Sequence, residues 1–156
     1  MNIHLLAVGD RMPAWVQQGY HEYAKRLPAA CSLQLRELAA GKRGKNAPIE
    51  RIMHDETARL LAAVPKGAHV VALEVGGSAW TTAQLAERLD RWLAAGPDVA
   101  LLVGGPDGMT GDARRAAQEQ WSLSPLTLPH PLVRIVVAEQ LYRAWSLLNN
   151  HPYHRA

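Results

Sequence analysis

The chain has 156 residues, about one domain's worth. Lys and Arg number 17 against 14 Asp and Glu, a net charge of +3, and 48% of the chain is apolar. This excludes a disordered chain, and its basic excess alone only tilts the odds towards an anionic partner. A single cysteine, Cys31, excludes an intramolecular disulfide framework and a zinc site built on several thiolates, and it fits a reducing cytosol. Beside Ala29, Ala30 and Leu33 it reads as a small packing residue, since nothing local would lower its pKa. No apolar run approaches the roughly 18–20 residues of a membrane span. Met1 to Asp10 lacks a basic segment followed by a long apolar one, so no signal peptide is expected. The expected compartment is the cytoplasm.

Ile3 to Val8 reads as a buried first strand ending at Gly9-Asp10. Pro13 suits the first turn of a helix carrying Val16, Tyr20, Tyr23 and Leu27, and Pro28 stops it. Leu33 and Leu35 alternate in a second strand ending near Leu38, before a loop from Ala39 to Asn46. A helix from Pro48 should bury Ile49, Ile52, Met53, Leu60, Leu61 and Val64. Val70 to Val75 is the third strand, which Gly76-Gly77 should break. Thr81 and Gln84 have capping-box spacing ahead of Leu85, Leu89, Trp92 and Leu93, and Gly96-Pro97 closes that helix. Val99 to Val103 has no polar residue, as in parallel strands covered on both faces. A polar helix from about Asp112 to Gln120 follows, then an extended stretch from Trp121 to Leu128. The last helix runs from about Leu132 to Leu148. Alternation of this kind predicts an α/β layer fold with a mostly parallel sheet. No linker or repeat divides residues 1–156, which read as one domain.

Between Leu132 and Leu148 only Arg134, Glu139, Gln140, Arg143 and Ser146 are not apolar. A helix apolar most of the way round needs cover on two sides. Central burial within one small domain would supply it. A second subunit is the preferred explanation, in a two-fold homodimer.

In open α/β sheets ligands bind beyond the carboxyl ends of the strands. Three loops lie there: Glu74 to Trp80, Gly104 to Gly111, and Leu123 to His130. The glycine loop has neither dinucleotide spacing nor the Lys-Ser/Thr of a P-loop, so a plain strand-to-helix turn is equally open. His130, between two prolines, is a base, a hydrogen-bond donor or a helix cap. Lys42, Arg43 and Lys45 form the densest positive cluster, either a solvated loop or a phosphate clamp for RNA. The tail His151-Pro152-Tyr153-His154-Arg155 could stack on bases and bind phosphates, or fray. Its two histidines have no companion ligands, so no metal is expected. No nucleophile elbow, zincin or kinase motif is present, which removes support for covalent hydrolysis.

Several segments together carry a resemblance that none carries alone. They are Ala7-Val8-Gly9 with Met12-Pro13 and Trp15-Val16, Ala40 to Asn46, Leu102 to Gly108, Trp121 to Arg134, Glu139 with Leu141 to Trp145, and Asn150 to Arg155. Across essentially its whole length the chain resembles the ribosomal large-subunit pseudouridine N3-methyltransferase family (RlmH or YbeA type) of the SPOUT superfamily. The resemblance implies S-adenosylmethionine as methyl donor, a homodimer, 23S ribosomal RNA in the assembled ribosome as substrate, and a C-terminal trefoil knot. Pattern rules alone predict an unknotted sheet. Carried over by position, the cofactor site would involve Leu73, Gly104, Leu123, Ser124, Pro125, Leu126, Thr127 and Leu128. Arg155, His154 and His130 are the catalytic candidates. Lys42, Arg43, Lys45, Tyr153 and Arg155 are those for RNA. Ala156 stands where the family carries Glu. The rival readings are a non-enzymatic ribosome-binding α/β protein and a nucleotide-dependent enzyme of flavodoxin-like architecture.

Overall fold

The computed structural model describes residues 1–155, so Ala156 lies outside the described residues. Five strands and five α-helices alternate: β1 (Asn2–Val8), α1 (Ala14–Ala24), β2 (Ser32–Leu38), α2 (Ile49–Ala62), β3 (His69–Ala79), α3 (Thr82–Ala95), β4 (Val99–Val103), α4 (Gly111–Ala116), β5 (Glu119–Ser122) and α5 (His130–Leu148). The strands form one sheet in the order β2-β1-β4-β3-β5, and every pairing is parallel.

The two faces of the sheet are read off the strands at period two. Ile3, Leu5, Ala7, Val71, Leu101 and Val103 point into a core shared with α3 and α5. Leu6, Val8, Val70, Ala100 and Leu102 point the other way, onto Leu60 of α2 and Ala113 of α4. β4 is buried throughout, as an all-apolar parallel strand should be. Cys31 is fully buried.

The chain leaves the edge strand β5 and returns as α5, which packs against both α1 and α3. That central position accounts for much of its all-round apolar surface. The girth of α5 therefore does not by itself demand a second subunit.

Three sequence expectations need correction. The buried face of α2 is Glu56, Thr57 and Leu60, while Ile49 is 38% exposed. Glu56 is buried because Arg43 neutralises it, a tertiary partner that periodicity does not register. α4 ends at Ala116, and Glu119 already belongs to β5, pairing with Val71. Finally, Gly76-Gly77 does not break β3. The strand continues to Ala79, with a register shift between Leu73 and Ser78 against Trp121. A bulge of this kind lets one strand carry extra residues past its partner.

Gly77 shows why that bulge needs glycine. A Cβ there would lie 2.8 Å from the backbone carbon of Gln120, whereas one on Gly76 would meet nothing within 4 Å. Gly77→Ala should destabilise the protein by about 1–3 kcal/mol through this overpacking. Gly76→Ala should change stability by less than about 0.5 kcal/mol. Paired urea unfolding curves check the contrast, and equal effects would refute the bulge geometry.

Candidate functional site

The carboxyl ends of β3, β4 and β5 open into a cleft of about 820 Å³. Leu73, Val103 and Trp121 form its floor at the strand ends. All three predicted segments reach it, at Glu74 to Gly76, Gly104 to Met109, and Leu123 to Pro129, but the first is the bulged part of β3 and not a loop. His130 and Val133 close it from the first turn of α5. Among the expected cofactor residues, Leu73, Gly104, Leu123, Ser124, Leu126, Thr127 and Leu128 line the cleft, and Pro125 does not.

The glycine loop is tightly made. A Cβ on Gly104 would come within 2.8 Å of the Gly108 carbonyl carbon. The Gly108 N–H donates to the Gly105 carbonyl at 3.0 Å, and Gly108 has a φ of 85° that favours glycine. The facing loop is held by its own serines. Ser122 donates to the Ser124 carbonyl, and the Leu126 N–H donates to Ser124 Oγ at 2.9 Å. Leu126 and Val75 are apolar and 71% and 56% exposed on the rim.

Two guanidiniums brace the strand ends beside the cleft. Arg134 of α5, 1% exposed, donates to Glu37 Oε2 and to the Gly9 carbonyl, each at 2.6 Å. On the other face Arg43 donates from Nη1 and Nη2 to the two oxygens of buried Glu56, at 2.8 and 2.9 Å. It also donates from Nε to Asp107 at 2.8 Å and from Nη1 to the Gly41 carbonyl at 3.0 Å. Burial pushes the Glu56 carboxyl up, but Arg43 and the Gly41 N–H outweigh it and hold its pKa below the ordinary range.

Arg43 is therefore spent inside the chain, which departs from its expected place among the RNA ligands. Lys42 and Lys45 remain on that loop, with no ion pair among the described residues. Glu74 lines the cleft, and burial raises its pKa against the opposing charge of Arg114. Sequence reading marked Glu74 only as the start of a loop. Glu56 and Glu74 belong to no motif, and Arg134, though it closes the Trp121 to Arg134 segment, has partners in Glu37 and Gly9 that no local signal could have found.

Burial lowers the His130 pKa, reinforced by Arg134 and opposed by Glu56. Its Nδ1 is buried without a hydrogen-bond partner. The ring lies against Gly9, where a Cβ would meet His130 Cε1 at 2.9 Å.

The tail sits elsewhere. A short 3-10 turn, Pro152–His154, folds it against the carboxyl-terminal half of α5. Tyr153 donates to Glu139 at 3.0 Å, and its ring lies 4.6 Å from that of Tyr142. Burial and that hydrogen bond push the phenol pKa up to about 12. Tyr153 also lies under Arg143, at 4.9 Å to the ring centroid. The tail is thus docked. From His130 to Glu139 and Tyr142 the helix rises about 14–18 Å. Within one chain the structure does not bring His154 and Arg155 to His130. Among the described residues no three His, Cys, Asp or Glu side chains converge as a metal site, and no helix is long and apolar enough to cross a membrane.

Comparison with known proteins agrees with this architecture. A family model described as "Predicted SPOUT methyltransferase" matches residues 1–154. The chain is 62% identical to the ribosomal RNA large subunit methyltransferase H of Methylococcus capsulatus, covering 99% of this chain and 100% of that one. It is 61% identical to the protein of the same name from Thioalkalivibrio sulfidiphilus, covering 99% of both. Among solved structures, a methylase family protein from Haemophilus influenzae superposes with a TM-score of 0.55 at 13% identity, covering 99% of this chain and 70% of that one. That likeness speaks for the fold alone. Methyl transfer in the matched family draws on S-adenosylmethionine. With its parallel sheet, its cleft at the strand ends and this match along its length, the chain belongs to the SPOUT methyltransferase family.

Proposed function

We propose that this chain methylates N3 of a pseudouridine in 23S ribosomal RNA, using S-adenosylmethionine, as a cytoplasmic homodimer acting on the assembled ribosome. Residues 1–156 form a single domain in this reading. The observation that carries it is the convergence of three largely apolar and glycine-rich segments from β3, β4 and β5 on one cleft, in a chain similar end to end to ribosomal RNA methyltransferases. The return of the chain from edge strand β5 to central α5 is the path along which a carboxyl-terminal knot would be threaded.

The cleft suits the donor. It is roomy and apolar, and glycine lets the backbone itself form one wall at Gly104. Leu73, Leu123, Leu128 and Val133 would exclude water, while loop N–H and carbonyl groups meet the polar edge of an aromatic base. When bound, the donor supplies a methyl group already activated on a cationic sulfur. The chain's part is alignment and proton handling. The imide proton must leave N3 as the new N–C bond forms. His130, whose pKa burial lowers, lies at the mouth of the cleft and is the chain's own candidate to accept that proton. Arg155 and His154 stabilise the developing imide anion from the tail of a second copy. Only a second copy can bring them, because each tail is docked at the far end of its own α5. A ribosome-binding protein without activity would leave the cleft unexplained, and failure to bind S-adenosylmethionine in calorimetry would favour it.

A shared site has a decisive test. Removing His151 to Ala156 should abolish ribosome methylation, with cofactor affinity changed less than about twofold. Gly104→Val should block the cleft and also abolish it. Mixed dimers of the two variants contain one complete site if the tail acts across the interface. Methylation should then return; its absence would place the tail and cleft of one chain together.

Lys42 and Lys45, not Arg43, should meet the RNA backbone. Lys42→Ala with Lys45→Ala should lower the salt slope of ribosome binding by about 1 per lysine. An unchanged slope would remove this loop from the RNA surface.

The lowered His130 pKa has a defined linkage. In the unfolded chain the imidazole takes a proton near pH 6.5. In the folded chain it resists protonation, so stability is lost as pH falls below about 6.5 towards the folded value. The carboxyl of Glu56, whose pKa is held low, adds its loss only below about pH 4.5. The difference in urea midpoint between wild type and His130→Gln should therefore shrink between pH 7 and 5. A constant difference would mean that His130 is not held neutral.

A further inference from the structure

We infer that Arg43 is a positioning residue that couples RNA binding to cofactor binding. This rests on the proposed function, in which the basic loop meets RNA and the glycine loop meets the cofactor. One guanidinium touches both loops and the helix beneath them.

The geometry is specific. Four of its five N–H groups are used: one on Asp107 of the glycine loop, one on the Gly41 carbonyl of the basic loop, and two on Glu56 of α2. Glu56 completes the triangle. Its Oε2 accepts the Gly41 N–H at 2.7 Å. Its Oε1 would lie 3.1 Å from a Cβ on Gly105, so the carboxylate sits directly against the glycine loop. The adjacent Thr57 accepts the Thr110 N–H at 3.0 Å, holding the far end of the same loop.

The three arms differ in strength. The Glu56 carboxylate is 2% exposed and cannot find water if the pair breaks, so the Arg43–Glu56 arm is permanent. The Asp107 carboxylate is 38% exposed and can be released into solvent. The Asp107 arm is the adjustable one. With it closed, Gly41, Lys42 and the Gly104–Gly108 wall are held as one unit. A cofactor that orders the wall then also orders the basic loop, and an RNA backbone fixing Lys42 and Lys45 orders the wall. Whichever ligand binds second meets a site whose ordering entropy is already spent. The coupling is reciprocal by linkage.

The test is a binding cycle with S-adenosylhomocysteine, the unreactive product, and intact ribosomes. In wild type, saturating ribosomes should tighten S-adenosylhomocysteine by about fivefold or more, the lower end of usual couplings. In Asp107→Asn that ratio should fall below about twofold. Asp107 lines the cleft, but a direct contact with the ligand changes its affinity equally with and without ribosomes, and cancels in the ratio. Asp107→Glu, which restores a carboxylate to Arg43, should recover the coupling. Lys42→Ala with Lys45→Ala should weaken ribosome binding and, even at saturation, lower the ratio, because the RNA then no longer fixes the basic loop. A ratio near one in wild type, or an unchanged ratio in Asp107→Asn, overturns the inference. Wild type that binds ribosomes but no S-adenosylhomocysteine overturns the proposed function itself, and the coupling with it.

Discussion

The architecture around the cleft depends on burying a guanidinium beneath a backbone carbonyl. Arg134 has no access to solvent, so its charge must be answered inside the protein. Glu37 answers the charge, and the Gly9 carbonyl takes a second hydrogen bond. Gly9 can present that carbonyl because its φ of 119° suits glycine and because His130 leaves no room for a side chain. A buried pair of this kind is a poor source of net stability, yet losing one partner costs about 3–5 kcal/mol. Its effect is positional. The first turns of α5 are fixed to the ends of β1 and β2, which sets His130 and Val133 at the mouth of the cleft and sends the tail to the opposite end.

Arg43 does the corresponding work on the other face of the sheet. The strand ends are thus clamped from both sides by charges satisfied within the fold. This bears on an otherwise odd property of the proposed function, in which the cleft would take a charged cofactor and an anionic polymer with almost no free charge of its own. The cationic groups nearest to it are consumed by Glu37, Glu56 and Asp107. Recognition is left to shape and to backbone groups. In the proposed function, electrostatic attraction of RNA falls to Lys42 and Lys45, on the loop that Arg43 braces, and to the tail.

The sequence made the alternation of elements legible, because parallel strands buried on both faces and capped amphipathic helices leave strong periodic signals. Thr81 with Gln84 forms the full capping box its spacing predicts, and Gly96 ends α3 with a φ of 98°. Where reading failed, a tertiary partner had overridden a local rule. Gly76-Gly77 looked like a terminus and is a bulge, because β5 pairs with the strand on both sides of it. Glu56 looked like a surface residue of α2 and is buried, because Arg43 reaches it from a glycine-flanked loop. The cleft-lining loops were legible from their position at strand ends. Glu74 and Arg134 were not, since one is defined by the wall it faces and the other by a carbonyl far away in sequence.

The tail shows what a docked terminus is for. Tyr153 keeps its proton throughout the physiological range, because burial and Glu139 push its pKa up to about 12. Glu139 also holds Arg143 at 2.6 Å, so one carboxylate fixes both the phenol and the guanidinium above it. Arg26, just beyond α1, lies over the same cluster, 5.7 Å from the Tyr153 ring. A tail meant only to sweep for RNA would gain nothing from this anchoring. A tail that must deliver His154 and Arg155 to a fixed place gains a great deal, since a misplacement of about 1 Å can cost two orders of magnitude in rate. That fixed place cannot be the cleft of the same chain, since the tail docks about 14–18 Å along α5 from His130. In the proposed dimer it is the cleft of the partner, so the ion-pair and aromatic contacts that dock each tail on its own α5 set the geometry of the other subunit's site.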